Sequence, residues 1–348
     1  VFIAVAGPWY GLVTLDTRGA WPKAFLLHEN AERFSTPADG HRGGLYYHAA
    51  LLLVLFVPWS AFLIPTFWAA VREARRPRAG DDTQSAETNG PEKYRFMLAW
   101  FAVYLVVFSV AATKLPNYVL PLYPALAILT GRMLDRWRLG VTTFPRWVMG
   151  IAVGGLAITG IVFFVGLLFV AGKIPSPIAV KGFHALPALA DYAPLGAIPA
   201  FASVLFGWLI SQARRDEALT AFAVGAVAFL ALLAALPTVA MDEYKAPKYL
   251  AEVVGLRQTD KDIRIAAIGW YRHSTVFYAR REVSNLHHPT AVDPFLALPR
   301  PAYLIVPEPA WPELSKWVTV PTRVVGRRYD FYSRQDVLVI ANKHATGE

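Results

Sequence analysis

Long apolar runs and short polar ones alternate along most of the chain. Runs at 45–71, 94–112, 118–134, 147–171, 195–211 and 219–239 approach the about 20 residues that a helix needs to cross roughly 30 Å of hydrocarbon. A shorter run, 1–7, reads as the end of another such helix. Pro58, Pro65, Pro121 and Pro124 fall within or near these runs, which membrane helices tolerate when neighbours satisfy the freed carbonyls. From Met241 the pattern changes. APKYLAEVVGLRQ has helical spacing, whereas IRIAAIG, TVFYAR, AYLIVPE and DVLVIANK are short β-rich runs separated by Pro, Asp and Gly. The pattern predicts an α-helical polytopic membrane bundle with a small C-terminal α/β extramembrane domain. Its parts are a truncated span and an outward amphipathic loop (1–44), a transmembrane region of about six helices (45–239), and the α/β domain (240–348).

Composition agrees with the pattern. Of 348 residues, 55% are hydrophobic and only 17% charged, against roughly 25% charge in a soluble domain. Eleven Trp, fifteen Tyr and twenty-one Phe suit rings placed at a bilayer interface. The net charge of +9 gathers in short clusters at the ends of apolar runs, which speaks against nucleic acid as a partner. There is no Cys, so disulfides and thiolate metal sites are excluded. The chain opens at Val1 inside an apolar run, without a start Met or a basic leader. It therefore reads as the C-terminal portion of a longer protein.

Charge sets the expected orientation. Arg72, Arg75, Arg76, Arg78, Lys93, Arg95, Arg132, Arg136, Arg138, Arg146, Arg214 and Arg215 all fall in alternate loops, and the opposite loops after the first hold only Lys114, Lys173 and Lys181. Cytoplasmic loops retain positive charge, so 8–44, 113–117, 172–194 and everything after Ala240 are expected outside. RAGDDTQSAETNGPE reads as a flexible cytoplasmic loop.

The first outward loop breaks the charge rule, with Arg18, Lys23, Arg33 and Arg42 beside His28, His41, Asp16, Glu29, Glu32 and Asp39. WPKAFLLHENAERF can form an amphipathic helix with Phe25 and Leu26 on the apolar side and His28, Glu29 and Arg33 on the wetter one. Such a helix at the interface can meet a lipid-linked anion; the plainer alternative is a connector with solvated charges. In ATKLPNYVLPLYP, Lys114 ends one span and Pro116 turns the chain into the next. Lys114 and Tyr118 are then expected at the membrane surface, where an ammonium can neutralise a phosphate. A snorkelling Lys beside a belt Tyr is the plainer alternative. His48 reads as interfacial packing.

The ordered set PWY (8–10), HENAERF (28–34), YY (46–47), PW (58–59) and TKLPNYVLPLYPALA (113–127) resembles the bacterial aminoarabinose transferase and protein mannosyltransferase superfamily, membrane glycosyltransferases of GT-C type. The resemblance is dense over 1–135 and weak beyond, although STVFYAR in the tail is similar to a stretch of the family's periplasmic domain. It implies a GT-C-like bundle in the bacterial inner membrane with its C-terminal domain in the periplasm. It also implies transfer of a sugar from a polyprenyl-phosphate donor to a lipid A-type glycolipid or a protein acceptor on the outer face. A carboxylate must take the acceptor's proton, and cations must stabilise the departing phosphate. The family's base lies upstream of Val1, so the fragment itself is expected to be inactive. By the same resemblance His28 matches a histidine that helps hold a divalent metal, zinc or similar, and Arg33 a phosphate-contacting arginine. Lys114 and Tyr118 match the outward turn where carrier phosphate or donor is contacted, with Lys23, Arg18 and Arg42 as weaker candidates. Zinc takes three or four ligands, and the others are expected from the segment upstream of Val1 or from the tail, where His273, His287 and His288 are candidates.

Two other classes compete. A transporter or flippase of lipid-linked substrates would place ionisable groups near the bilayer midplane, where these spans have almost none. A non-catalytic scaffold would not need the mixed His, Arg and acidic residues of 16–42.

Overall fold

The computed structural model describes residues 1–37, 42–77, 90–175, 184–242, 244–252, 255 and 262–345, without the side chains of Phe2, His28 and Glu29. The loop expected at RAGDDTQSAETNGPE lies almost wholly outside the described residues, as do Asp39, His41, Arg78 and Lys181. By internal contacts the chain divides into two units, Val1–Gly160 with Ile198–Ala226, and Ile161–Ala197 with Val227–Glu348.

In the first unit the opening helix Phe2–Asp16 runs past Pro8 and well beyond the short stub the sequence suggested. Arg18 (φ 50°) and Gly19 (φ 82°) reverse the chain in left-handed conformations, which glycine adopts without a Cβ penalty. A helical run follows as Ala20–Lys23, a π-helical Ala24–Glu32, and Arg33–Ser35. Trp21 pins this run to the opening helix, with its ring 5.1 Å from Trp9 and 5.6 Å from Tyr10.

Among the described residues, four helices are long and apolar enough to cross a membrane: Pro91–Val110, Arg146–Val170, Pro187–Ser211 and Arg215–Asp242. Two of the six expected spans look different. The run at 45–71 is broken into Tyr47–Leu55 and Trp59–Ala74, bent by 115°. The break falls at Pro58, which has no N–H to continue the helical ladder. The run at 118–134 begins as a 3₁₀ turn, Pro116–Leu122, and becomes α-helical only over Tyr123–Arg138. That 16-residue helix buries Leu126, Leu129, Met133 and Trp137 along one face and is an inner element of the bundle. Phe62, Phe206 and Phe222 meet edge to face at 4.9–6.1 Å in the core beside it. The outer helices keep Val103, Val106, Phe201, Val204 and Val224 exposed. Exposed apolar surface on this scale is expected where lipid replaces water. The protein is an integral, multi-pass membrane protein.

The Arg-rich helix ends of this unit meet one another. Buried Glu73 accepts from half-exposed Arg76 at 2.9 Å and from the largely buried Arg136 at 3.5 Å. Arg95 donates to the Ala74 carbonyl, Arg138 bridges Asp135 and Asp216, and Arg215 donates to the Trp137 carbonyl while lying over its ring. The cations that the loop pattern grouped therefore share one end of the bundle, and several of them are structural.

The second unit carries a five-stranded sheet in the order β2-β1-β3-β5-β4, with β1 Arg264–Ile268, β2 Val283–Leu286, β3 Ala302–Pro307, β4 Thr322–Asp330 and β5 Gln335–Asn342. β2, β1 and β3 are parallel, and β3, β5 and β4 antiparallel. Alternation along the strands sorts the core onto two faces. Ile265, Ala267, Tyr303, Ile305, Val337 and Val339 pack with Ala246 and Leu250 on one, and Ala266, Leu304, Val306, Leu338 and Ile340 with Val292 and Leu296 on the other. IRIAAIG, AYLIVPE and DVLVIANK form strands as expected, but TVFYAR does not: His273–Ala279 is a helix. Parallel β1 and β2 need a crossover between them. The helix buries Thr275 and Ala279, one turn apart, and leaves Phe277 outside. Arg280 ends it in a left-handed conformation.

Two buried polar groups lock the sheet. Asn342 accepts from the backbone N–H of Ala302, His344 and Ala345, and donates to the carbonyls of Leu296, Leu298 and Arg300. Asp330 accepts from Trp270 Nε1 (2.9 Å), Ser333 N (3.0 Å) and Oγ (2.6 Å), and Arg272 (3.3 Å). Burial pushes the Asp330 carboxyl up, but the bonds from Ser333 and Trp270 and the Arg272 charge outweigh it and hold the group below its ordinary value of 3.8. A depressed carboxyl stabilises the fold above that ordinary value and loses its contribution as pH falls through the lower, folded one.

The urea midpoint of tail-domain unfolding should therefore drop between pH 6 and pH 3, and Asp330→Asn should flatten that dependence. Asn342→Ala orphans backbone groups around β3 and β5, and should weaken their hydrogen-exchange protection by about 2–3 kcal/mol.

Candidate functional site

Two segments 78 positions apart are joined in the first unit. The carbonyls of Arg33 and Phe34 accept from the backbone N–H of Thr113 (3.1 Å) and Ala112 (2.8 Å), and Thr113 Oγ1 donates to the Thr36 carbonyl (3.1 Å). This seam ties the end of the amphipathic run to the turn after the helix Pro91–Val110. Twenty residues of that helix, about 30 Å at 1.5 Å per residue, separate this turn from the Arg-rich end.

Lys114 lies in the turn but does not project from it. Its side chain is buried, and its ammonium donates to the carbonyls of Phe108, Ser109 and Ala111. Those carbonyls belong to the C-terminal end of the helix, where the last four lack intrahelical partners and partial negative charge accumulates. A cation there completes the helix end. The cover is tight, since a Cβ on Gly43 would come within 3.1 Å of both the Lys114 stem and the Tyr47 ring. The surface projection expected of Lys114 gives way to a capping role, because three carbonyls in a buried turn outcompete solvent for the ammonium.

Tyr118 follows on the same turn, half-buried, with its ring stacked on Phe108 at 4.7 Å and tilted against His48 at 6.1 Å. His48 is fully buried, and its Nε2 lies 3.3 Å from the Leu115 carbonyl. With Nε2 donating, Nδ1 is left as an acceptor, and among the described residues it has no partner. The sequence reading of His48 as packing at a span end did not foresee this hydrogen bond or the unpaired ring nitrogen; an imidazole just inside a span needs a polar partner.

The remaining candidates are placed as follows. Arg33 is half-buried on the seam, while Arg18, Lys23 and Arg42 are exposed. His28 lies in the π-helical stretch, one turn from Arg33, with its side chain outside the described residues. His273, His287 and His288 are exposed in the second unit. Among the described residues no three His, Asp or Glu side chains gather as a metal would require. The structure thus brings Arg33, Lys114 and Tyr118 onto one seam of the first unit and leaves Arg18 and Lys23 off it.

Lys114→Met should lower the melting temperature of the detergent-purified protein, at a cost of about 1.5–3 kcal/mol for lost charge-assisted bonds. Tyr118→Phe, which keeps the ring stack, should leave it unchanged.

No protein-family model matches the chain. It is 30% identical over 245 residues to the undecaprenyl phosphate-alpha-4-amino-4-deoxy-L-arabinose arabinosyl transferase 2 of Pseudomonas fluorescens, covering 68% of this chain and 38% of that protein. It is 29% identical over 185 residues to the corresponding transferase of Photorhabdus laumondii, covering 53% of this chain and 29% of that protein. The matched part thus spans well under half the length of these curated relatives. Among solved structures, ArnT from Cupriavidus metallidurans bound to undecaprenyl phosphate superposes with a TM-score of 0.67 at 20% identity, over 99% of this chain and 60% of that one. Sequence and fold agree: the chain is a relative of the bacterial aminoarabinose transferases, and over the part of their length that it spans it has their GT-C-type membrane fold.

Proposed function

We propose that this chain forms the phosphate-holding half of a glycosyltransferase site. A sugar carried on a polyprenyl phosphate such as undecaprenyl phosphate is transferred to a lipid A-type glycan or a protein acceptor. The reaction takes place at the outer face of the bacterial inner membrane, with the α/β domain periplasmic. The observation that carries this reading is the seam, which draws Arg33 and Tyr118 to one rim of the bundle, opposite the Arg-rich end. The positive-inside rule supports assigning that opposite end to the cytoplasm.

The chemistry follows from the placement. When the glycosidic bond to the carrier breaks, negative charge grows on the departing phosphate, and preorganised donors there lower the barrier. Arg33 offers a planar, permanently charged fork for phosphate oxygens, and Tyr118 a hydroxyl held by its ring stack on Phe108. Lys114 acts through position, holding the turn that carries Tyr118. Lys23 and Arg18, exposed on the same outward segment, attract the anionic carrier at longer range. His28 as a ligand of a divalent metal belongs to the same reading, and comparing the metal content of the purified protein with that of His28→Ala tests it.

In the full-length protein, Arg33→Ala should slow transfer from a radiolabelled polyprenyl-linked sugar by about a hundredfold, with membrane insertion intact. Tyr118→Phe should slow it by about tenfold, the loss of one hydrogen bond of ordinary strength. Wild-type rates from both variants would remove the seam from the site.

A further inference from the structure

The second unit holds a cleft of about 350 Å³ lined by Lys245, Pro247, Arg272, Ser274, Tyr278, Asp330 and Tyr332. We infer that this cleft is a binding site for a phosphorylated saccharide. The assignment does not depend on the transfer chemistry proposed for the first unit.

The cleft is a built one. Asp242 fixes its first wall, accepting from Lys245 (2.8 Å), Lys248 (2.9 Å) and the Tyr278 hydroxyl (3.2 Å). Asp330 fixes the second by holding Arg272, whose guanidinium also lies 5.8 Å from the Trp270 ring centre. Both carboxylates are spent on these partners, and Asp330 is only 2% exposed. What remains toward the cleft is an excess of donors: the further N–H groups of Lys245 and Arg272 and the Ser274 hydroxyl. Arg272 Nε is buried and has no partner among the described residues. A buried N–H left unpaired is costly, so an oxygen-rich, anionic ligand has a place to bind.

Two tyrosines supply the rest. Tyr332 stands 72% exposed beside Lys245, and Tyr278 is held by Asp242. The exposed Tyr332 ring and the part-buried Tyr278 ring, next to charged donors, give one surface for the C–H face of a sugar and another for its anionic group. The volume is that of a site for an organic ligand rather than a bare anion. The chain sorts side chains to two sides where β4 ends and the next turn begins: Asp330 and Tyr332 line the cleft, while Tyr329 and Phe331 line the neighbouring hollow with His184.

Location narrows the source. Asp242 is the last residue of the apolar helical segment Arg215–Asp242, so the cleft opens where the chain leaves the membrane. A phosphorylated saccharide head carried on a lipid would be presented at that level.

The test is calorimetric titration of the full chain in detergent micelles with glucosamine 1-phosphate, glucosamine and inorganic phosphate. Saturable binding of the sugar phosphate is expected. It should weaken at least tenfold in Lys245→Ala and in Tyr332→Ala, two exposed positions whose variants keep the wild-type melting temperature. No saturable binding, or binding untouched by both substitutions, overturns the assignment. Equal affinity for inorganic phosphate would overturn the saccharide part, and equal affinity for glucosamine the anionic part. With binding established, competition by a phosphorylated glycolipid in nanodiscs assigns the ligand to a lipid head, and its failure assigns it to a soluble sugar phosphate.

Discussion

A helix that ends inside a membrane protein leaves carbonyl oxygens that lipid cannot satisfy, and the rim of this bundle is organised around one such end. The C-terminus of Pro91–Val110 is completed by the Lys114 ammonium, which draws the chain into a tight turn beneath Gly43 and Tyr47. Because the turn is fixed, the N–H groups of Ala112 and Thr113 stand ready for the carbonyls of Phe34 and Arg33. The same turn sets Tyr118 against Phe108 and His48. Local charge compensation and long-range assembly are therefore one event. A residue that looks like a phosphate ligand by type serves here to place others.

Charge at the opposite end works in a similar way. Arg-rich loops are of the kind that membrane insertion retains on one side, yet Arg95, Arg136 and Arg215 are spent here on a carbonyl, a buried carboxylate and a Trp ring with its carbonyl. Long Arg side chains can cover apolar helix ends while their heads find oxygen. The two ends thus differ in kind. One is a network of guanidinium groups closing the bundle, and the other is a seam of backbone bonds carrying a few polar side chains.

The tail obeys different rules because it folds in water. Its sheet needs alternation, and each face gathers its own cluster. Two of its buried polar groups are each held by several bonds, Asn342 behind β3 and Asp330 at the end of β4. Asp330 ties the end of the sheet to Trp270 and Arg272 and so shapes the neighbouring cleft.

The order of apolar runs and the change of pattern after Met241 indicated on their own a multi-pass membrane bundle followed by a small α/β domain, since burial in lipid acts on composition over whole segments. Arg33 in one segment and Lys114 and Tyr118 in another stood out by residue type at span ends, and only the family resemblance joined them as a set. Tertiary structure alone decided which of them are buried. Lys114 became a cap because three carbonyls lie within its reach, and His48 became a partner of Leu115 because two distant segments meet. TVFYAR became a helix because parallel neighbours on either side demanded a crossover, overriding its β-rich composition. The run around Pro58 broke because a missing N–H matters only where the neighbouring turns are fixed. Each of these outcomes depends on contacts between positions far apart in sequence, which local propensity and periodicity do not encode.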